Sequence, residues 1–208
     1  MINEHTSGVS HTNHISKKIN SAIGIMNRIK QYVPRICLKS IYHALIHSYL
    51  NYGILSWGYD LKKVTLLEKK AIRTVTNSHD LCHTDPLFKN EKILKVYDIF
   101  KMHCLKLYYD LKNMSLSRPL SDLFTIDQNT SHNLILFDCS DRNGKDRIRY
   151  HLPRFINSCP PLLIHKVSTH SLQGFKNYAK NHFLQGYDDS PCQLIDCYSC
   201  LSAANFRS

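Results

Sequence analysis

The sequence predicts a mainly α protein that ends in a small β-hairpin and helix region. Three observations predict this. The run SIYHALIHSYLNYGILSWGY, from Ser40 to Tyr59, carries no Lys, Arg, Asp or Glu and repeats apolar residues at helical spacing. Segments on either side of it repeat the same period. Past residue 131 the pattern becomes strand-like, around an Asn143-Gly144 hairpin signal.

Residues 1–11 are polar and read as a disordered lead-in, with no apolar signal-peptide core in MINEHTSGVSHTNH. A helix is expected from about Thr12, with Ile15, Ile19, Ala22, Ile23, Met26 and Ile29 as its buried stripe and Lys17, Lys18, Arg28 and Lys30 off it. Pro34 separates it from the central helix, and so short a link predicts an antiparallel helical hairpin. In the central run Ile41, Leu45, Tyr49 and Tyr52 recur at helical spacing with Ile46 and Leu50 beside them, which predicts burial on most sides. Gly53 and Gly58 loosen or end this helix, with Trp57 between them. Twenty uncharged residues could span a bilayer, but His43, His47, Ser48 and Asn51 would be costly in lipid, so no membrane is expected.

A third helix, about Leu61 to Asn77, turns Val64, Leu67, Ala71 and Val75 inward and carries Lys62, Lys63, Lys69, Lys70 and Arg73 against Glu68. Five cations and one anion on one helix lean toward phosphate contact, and the competing reading is a solvated face. His79, Cys82 and His83 fall in a polar break whose spacing matches no closed zinc motif, so a loop is expected. Thr84 or Asp85 can cap the next helix, with Pro86 in its first turn. Val96 to Leu111 follows, burying Ile99, Phe100, Cys104, Leu107, Tyr108 and Leu111. Its neighbours His103 and Cys104 point in different directions and are no nucleophile and base.

Residues 114–131 read as a linker rich in Ser, Asn and Asp. After Asn143-Gly144, Arg147, Arg149 and His151 alternate with Ile148, Tyr150 and Leu152, which predicts a strand with cations on one face. Arg142, Lys145 and Arg154 add to this basic patch, which suits a sugar-phosphate backbone or a charged edge strand equally. Pro153, Pro160 and Pro161 predict a stiff loop, and a last helix from about Ser171 carries Leu172, Phe175, Ala179 and Phe183 until Gly186. The expected domains are 12–113, helical, and 132–187, basic hairpin plus helix, followed by a tail from 188 to 208. In that tail Cys192, Cys197 and Cys200 have zinc-knuckle spacing at the last pair but lack an obvious fourth ligand, so mobile thiols stand beside a zinc site as readings.

Lys and Arg total 27 against 16 Asp and Glu, a net charge of +11, which favours a polyanionic partner, with nucleic acid first. Eight cysteines in a chain this long and evenly apolar fit free thiols in a reducing compartment better than a disulfide scaffold. An intracellular location is expected, nuclear or cytoplasmic unresolved.

The series HISKKINSAIGIMNRIKQYVP, IYHALIHSYLNYGILSWG and LEKKAIRTVTNSHDLCHTDPLF, followed by KILKVYDIFKMHCLKLYYDL, GKDRIRYHLPRFINSCPP and SLQGFKNYAKNHFL, carries a family signature in its order. It resembles the region after the polymerase core in LINE-type, jockey-like non-LTR retrotransposon reverse transcriptases, the RNA-directed DNA polymerases, over about residues 12 to 187. The resemblance implies a helical thumb-like bundle that grips template-primer duplex, then a basic C-terminal extension. It places Lys17, Lys18, Lys69, Lys70 and Arg73 in matched helices and Arg147 and Arg149 in a matched basic segment. The family's catalytic aspartates belong to a palm that precedes this region. Tyr187-Asp188-Asp189 lacks the intervening residue of the family's aromatic-x-Asp-Asp motif and comes after the thumb, so it reads as a solvated acidic turn. The expectation is therefore a truncated, non-catalytic fragment with no catalytic residue and no required cofactor. It would bind the backbone of RNA–DNA or DNA duplex, and the polymerase core is a second candidate partner. The alternatives are an inert transposon remnant and an adopted interaction module whose tail holds zinc.

Overall fold

The computed structural model describes residues 8–58, 61–127, 133–136 and 148–188, and these are mainly α-helical. The helices are α1 (Gly8–Ile29), α2 (Arg35–Ile41), a π-helical segment (Tyr42–His47), α3 (Ser48–Asn51), α4 (Ile54–Trp57), α5 (Lys62–Thr76), α6 (Asp85–Asn90), α7 (Val96–Lys112), α8 (Arg118–Ser121), α9 (Ile148–Ser158), α10 (Pro161–Thr169) and α11 (Leu172–Gln185), closed by a 3-10 turn, Gly186–Asp188. Packing sorts the chain into two compact units. Of the described residues the first comprises 8–52, 61–98 and 182–188, and the second 53–58, 99–127, 133–136 and 148–181. The domains expected from the sequence follow chain order, whereas the units join segments distant along it.

In the first unit α1 buries Ile15, Ile19, Ala22, Ile23 and Met26 of the stripe read from its period, with Ile29 half-buried at its end, and packs on α5, the π segment and α3. α5 answers with Val64, Ala71, Ile72 and Val75, and ends at Asn77, whose left-handed backbone (φ 50°) is a common helix stop. Thr84 precedes α6, Pro86 sits in its first turn, and Phe88 is fully buried.

The central run differs from expectation. It is no single helix. Ahead of Gly53 the buried row is Tyr42, Ile46 and Leu50, continuing from Leu38 one turn before Tyr42, while Leu45 and Tyr52 are exposed and Ile41 and Tyr49 half-buried. A run apolar nearly all round does not specify which face turns inward, so partners decide. The buried residues recur every fourth position, and in an unbroken α-helix of 3.6 residues per turn such a row drifts around the axis. The π segment, in which Ser48 N–H bonds the His43 carbonyl, takes more residues per turn and winds the row back. Gly53, at φ 60°, then breaks the run.

The second unit contains α4 with Trp57 buried, α7 from Ile99 onward, α8, α9, α10 and α11 as far as Asn181. Ile99, Phe100, Cys104, Leu105 and Tyr108 are the buried side of α7, with Leu107 and Leu111 half-buried. Gly58 lies so close to Phe100 that a Cβ there would stand 2.5 Å from its ring. Tyr109 stacks on Phe175 at 5.7 Å and donates to the His170 carbonyl. Among the described residues the one extended pairing is an isolated antiparallel bridge, Ile126 with Leu134, and Asn157 holds Leu134 through both its backbone groups at 2.9 Å.

Two further expectations are corrected here. Ile148–Ser158 is a helix, not the expected basic strand. Six residues of alternation fit period two, but Ile148, Leu152, Phe155 and Ile156 also recur at helical spacing over a longer window, and Leu152 and Ile156 are buried. Arg154 lies 3.7 Å over the Tyr150 ring one turn away, and buried Pro153 gives up a backbone hydrogen bond near the helix start. Pro160 and Pro161 do not make a loop but open α10, where a missing N–H costs nothing. The Asn143-Gly144 turn lies outside the described residues.

Candidate nucleic-acid interface

α1 and α5 run parallel. Lys63 donates to Asn13 Oδ1 at 2.8 Å near their starts, and Thr74 donates to Asn27 Oδ1 at 3.4 Å toward their ends. On α1 the row Asn13, Lys17, Asn20 and Asn27 lies beside this seam, and on α5 the row Lys63, Lys70 and Thr74 does. Lys17, Lys63 and Lys70 are exposed there, and among the described residues Lys17 and Lys70 have no side-chain partner. The seam thus presents three ammonium groups alternating with carboxamides, donors suited to phosphate and sugar oxygens.

The other predicted cations in this unit fall elsewhere. Lys18 follows Lys17 and points about 100° away around α1. Lys69 shares the outer side of α5 with Lys62 and Arg73. Arg73 donates through Nε to the Cys82 carbonyl at 2.9 Å and pins the loop before α6. Its role in this structure is to hold backbone.

Glu68, counted from the sequence as the anion that offsets α5, points inward and is 1 % exposed. It accepts from the Val96 amide at 2.8 Å and from the Tyr42 hydroxyl at 3.3 Å. Burial, with Asp98 adding to it, pushes its carboxyl up to about 8 against the lowering pull of those hydrogen bonds and Lys95. The exposed surface of α5 carries only positive charge, because Glu68, its only acid, is turned inward. Beside it the Tyr187 hydroxyl donates to Asp98 Oδ2 at 2.7 Å and accepts from the Lys95 amide at 2.9 Å. Lys95 reaches Asp85 at 2.6 Å and lies 4.2 Å over the Tyr187 ring. Tyr187 is buried against Phe88, so this residue of the expected solvated turn is a core clasp. Arg35 and Lys39 both pair with Glu91, which fixes the start of α2.

In the second unit Arg149 and His151 are half-buried on α9, and the His151 ring meets Phe100 edge-on at 6.3 Å. They do not form the exposed cation row expected of a strand. Arg147 lies outside the described residues. Lys106 and Lys176, not singled out from the sequence, both bear on His103, and burial and these two cations hold its imidazole below the usual value. Only the helical register of α7 and α11 taken together would have paired them.

Among the described residues no group of three or more His, Cys, Asp or Glu is placed to hold a metal ion, and His79, Cys82 and His83 form no such group. Cys192, Cys197 and Cys200 lie outside the described residues. Cys37, Cys104 and Cys159 are free thiols, and the Cys82 thiol donates to the His83 carbonyl at 3.7 Å. No helix among the described residues is long and apolar enough to cross a membrane. Compared with protein-family models, with curated proteins and with solved structures, the chain matches none.

Proposed function

We propose that this chain is a thumb and post-thumb region of the non-LTR retrotransposon reverse transcriptase type, which binds the backbone of RNA–DNA or DNA duplex without reading sequence. The observation that carries the proposal is the parallel α1/α5 seam. It brings Lys17, Lys63 and Lys70 to one surface, while the only acidic residue of α5 is turned away into the core against Tyr42 and Val96. The net charge of +11 supports the same partner. The mainly helical fold is the class the resemblance implies. The proposal assigns the chain no catalytic residue and no required cofactor; its contribution is to hold duplex by phosphate contacts.

The test is binding of the purified chain to a primed RNA–DNA duplex across a salt series, beside single strands and heparin. Duplex preference with a steep salt slope is the expected result. Binding no tighter than to heparin would overturn the proposal. A second reading rests on the exposed Tyr32, Ile36 and Tyr52 of the first unit: these would dock on a polymerase core, and alone they favour association into an inert remnant. A monodisperse monomer in sedimentation analysis would count against the remnant.

A further inference from the structure

The geometry points to a metal site at His43 and His47, a two-imidazole chelate for a borderline divalent ion of the Zn2+, Cu2+ or Ni2+ class. Both residues lie in the π-helical segment, His43 exposed and His47 half-buried. Their ring centroids are 5.1 Å apart and their planes inclined at 64°. Metal–imidazole bonds are about 2.0–2.1 Å, so two imidazoles on one tetrahedral ion hold their centroids about 5 Å apart. The rings therefore already have the separation that a shared ion requires, and small side-chain rotations aim one nitrogen of each at it. Single π-helical turns are uncommon and concentrate at functional sites. This one places both imidazoles on the outward side of a helix whose buried row is Leu38, Tyr42, Ile46 and Leu50.

The rings have contacts of their own, which the ion would replace in part. His43 meets Tyr42 edge-on at 5.6 Å, and the Asn51 carboxamide stands 2.6 Å from His47 Nδ1. The same Asn51 nitrogen donates to the His47 carbonyl at 2.8 Å, and that bond stays when an ion takes the ring nitrogen. Two imidazoles and no carboxylate select against Mg2+ and Ca2+, which prefer oxygen ligands. Solvent completes the coordination.

The full-length chain, with its imidazoles resolved by NMR, is titrated with substoichiometric Co2+, a paramagnetic stand-in for Zn2+. The His43 and His47 signals are expected to respond before those of the other histidines. His43→Gln and His47→Gln should each weaken that response about tenfold or more, since each removes the chelate. Mg2+ in place of Co2+ should leave both rings unchanged. His43 is exposed, so its variant keeps the fold, and an unchanged amide spectrum verifies that. Responses centred on other histidines, or a single substitution that leaves affinity at the remaining imidazole intact, would overturn the site.

Discussion

Glu68 is where one side chain changes the reading of a whole face. Its carboxyl takes up a proton at about pH 8 in the folded chain, against 4.5 ordinarily, because burial disfavours the charged form. Between those values the folded state holds a proton that the unfolded state has released. Its contribution to stability is therefore fully present below about pH 4.5 and is lost as pH rises to about 8. Glu68→Gln keeps an acceptor for the Val96 amide and has no proton to lose. Urea midpoints measured from pH 5 to 9 should fall with pH in the parent more than in the variant, with the variant the more stable at pH 9. Parallel profiles would mean that Glu68 is ionised throughout. None of this was legible in the sequence. Of the inward residues expected on α5, Val64, Ala71 and Val75 are buried and Leu67 half-buried, but position 68 lies on the same stripe, and an acid there is read as solvated unless its partners are known. Those partners, Tyr42 and Val96, lie 26 and 28 residues away.

Elements were legible where a long period met clear stops. α5, α7 and α11 have stripes and boundaries close to expectation, and Pro86 and Gly186 punctuate as read, but α1 starts at Gly8, inside the polar stretch expected to be a disordered lead-in up to residue 11. Short or ambiguous windows failed. The strand expected at 147–152 is the start of α9, and the central run divides into α2, a π segment, α3 and α4. What fixes the start of α7 is remote from it: Tyr187 inserts its hydroxyl between the Lys95 amide and the Asp98 carboxylate, so a capping bond is relayed through a residue from the far end of the chain. Tyr187→Phe leaves a buried carboxylate and an amide without that partner, and should cost about 1–3 kcal/mol in chemical denaturation. A change within about 0.5 kcal/mol, the range of surface substitutions, would mean that the clasp is only packing. The second unit has its own close contact. At Gly58 a Cβ would stand 2.5 Å from Phe100 and 2.6 Å from the Ile54 carbonyl. The carbonyl is backbone and cannot rotate away, so Gly58→Ala should cost about 1–3 kcal/mol or more, read as a lowered urea midpoint.

At the scale of the whole molecule a net charge of +11 makes some attraction to any polyanion unavoidable, so binding alone proves little. What separates a built interface from diffuse charge is whether the salt dependence belongs to particular residues. The sequence offered Lys17, Lys18, Lys69, Lys70 and Arg73 as one set, and the structure divides them: Lys17 and Lys70 join Lys63 at the α1/α5 seam, Lys18 and Lys69 point elsewhere, and Arg73 holds the Cys82 carbonyl. The division was hidden because the parallel pairing of α1 with α5 depends on contacts such as Lys63 with Asn13, fifty residues apart. Each phosphate contact contributes about 0.9 to the slope of log affinity against log salt for duplex. Replacing Lys17, Lys63 and Lys70 by Ala should therefore lower that slope by about 2 to 3. Replacing Lys18 and Lys69 removes two positive charges against three and should lower it by less than about 1. Arg73→Ala should act on stability before binding, because it frees the loop ahead of α6. Equal losses of slope from the seam variant and the Lys18/Lys69 variant, scaled by charge removed, would mean that the duplex meets a diffuse positive field and that the seam is no interface.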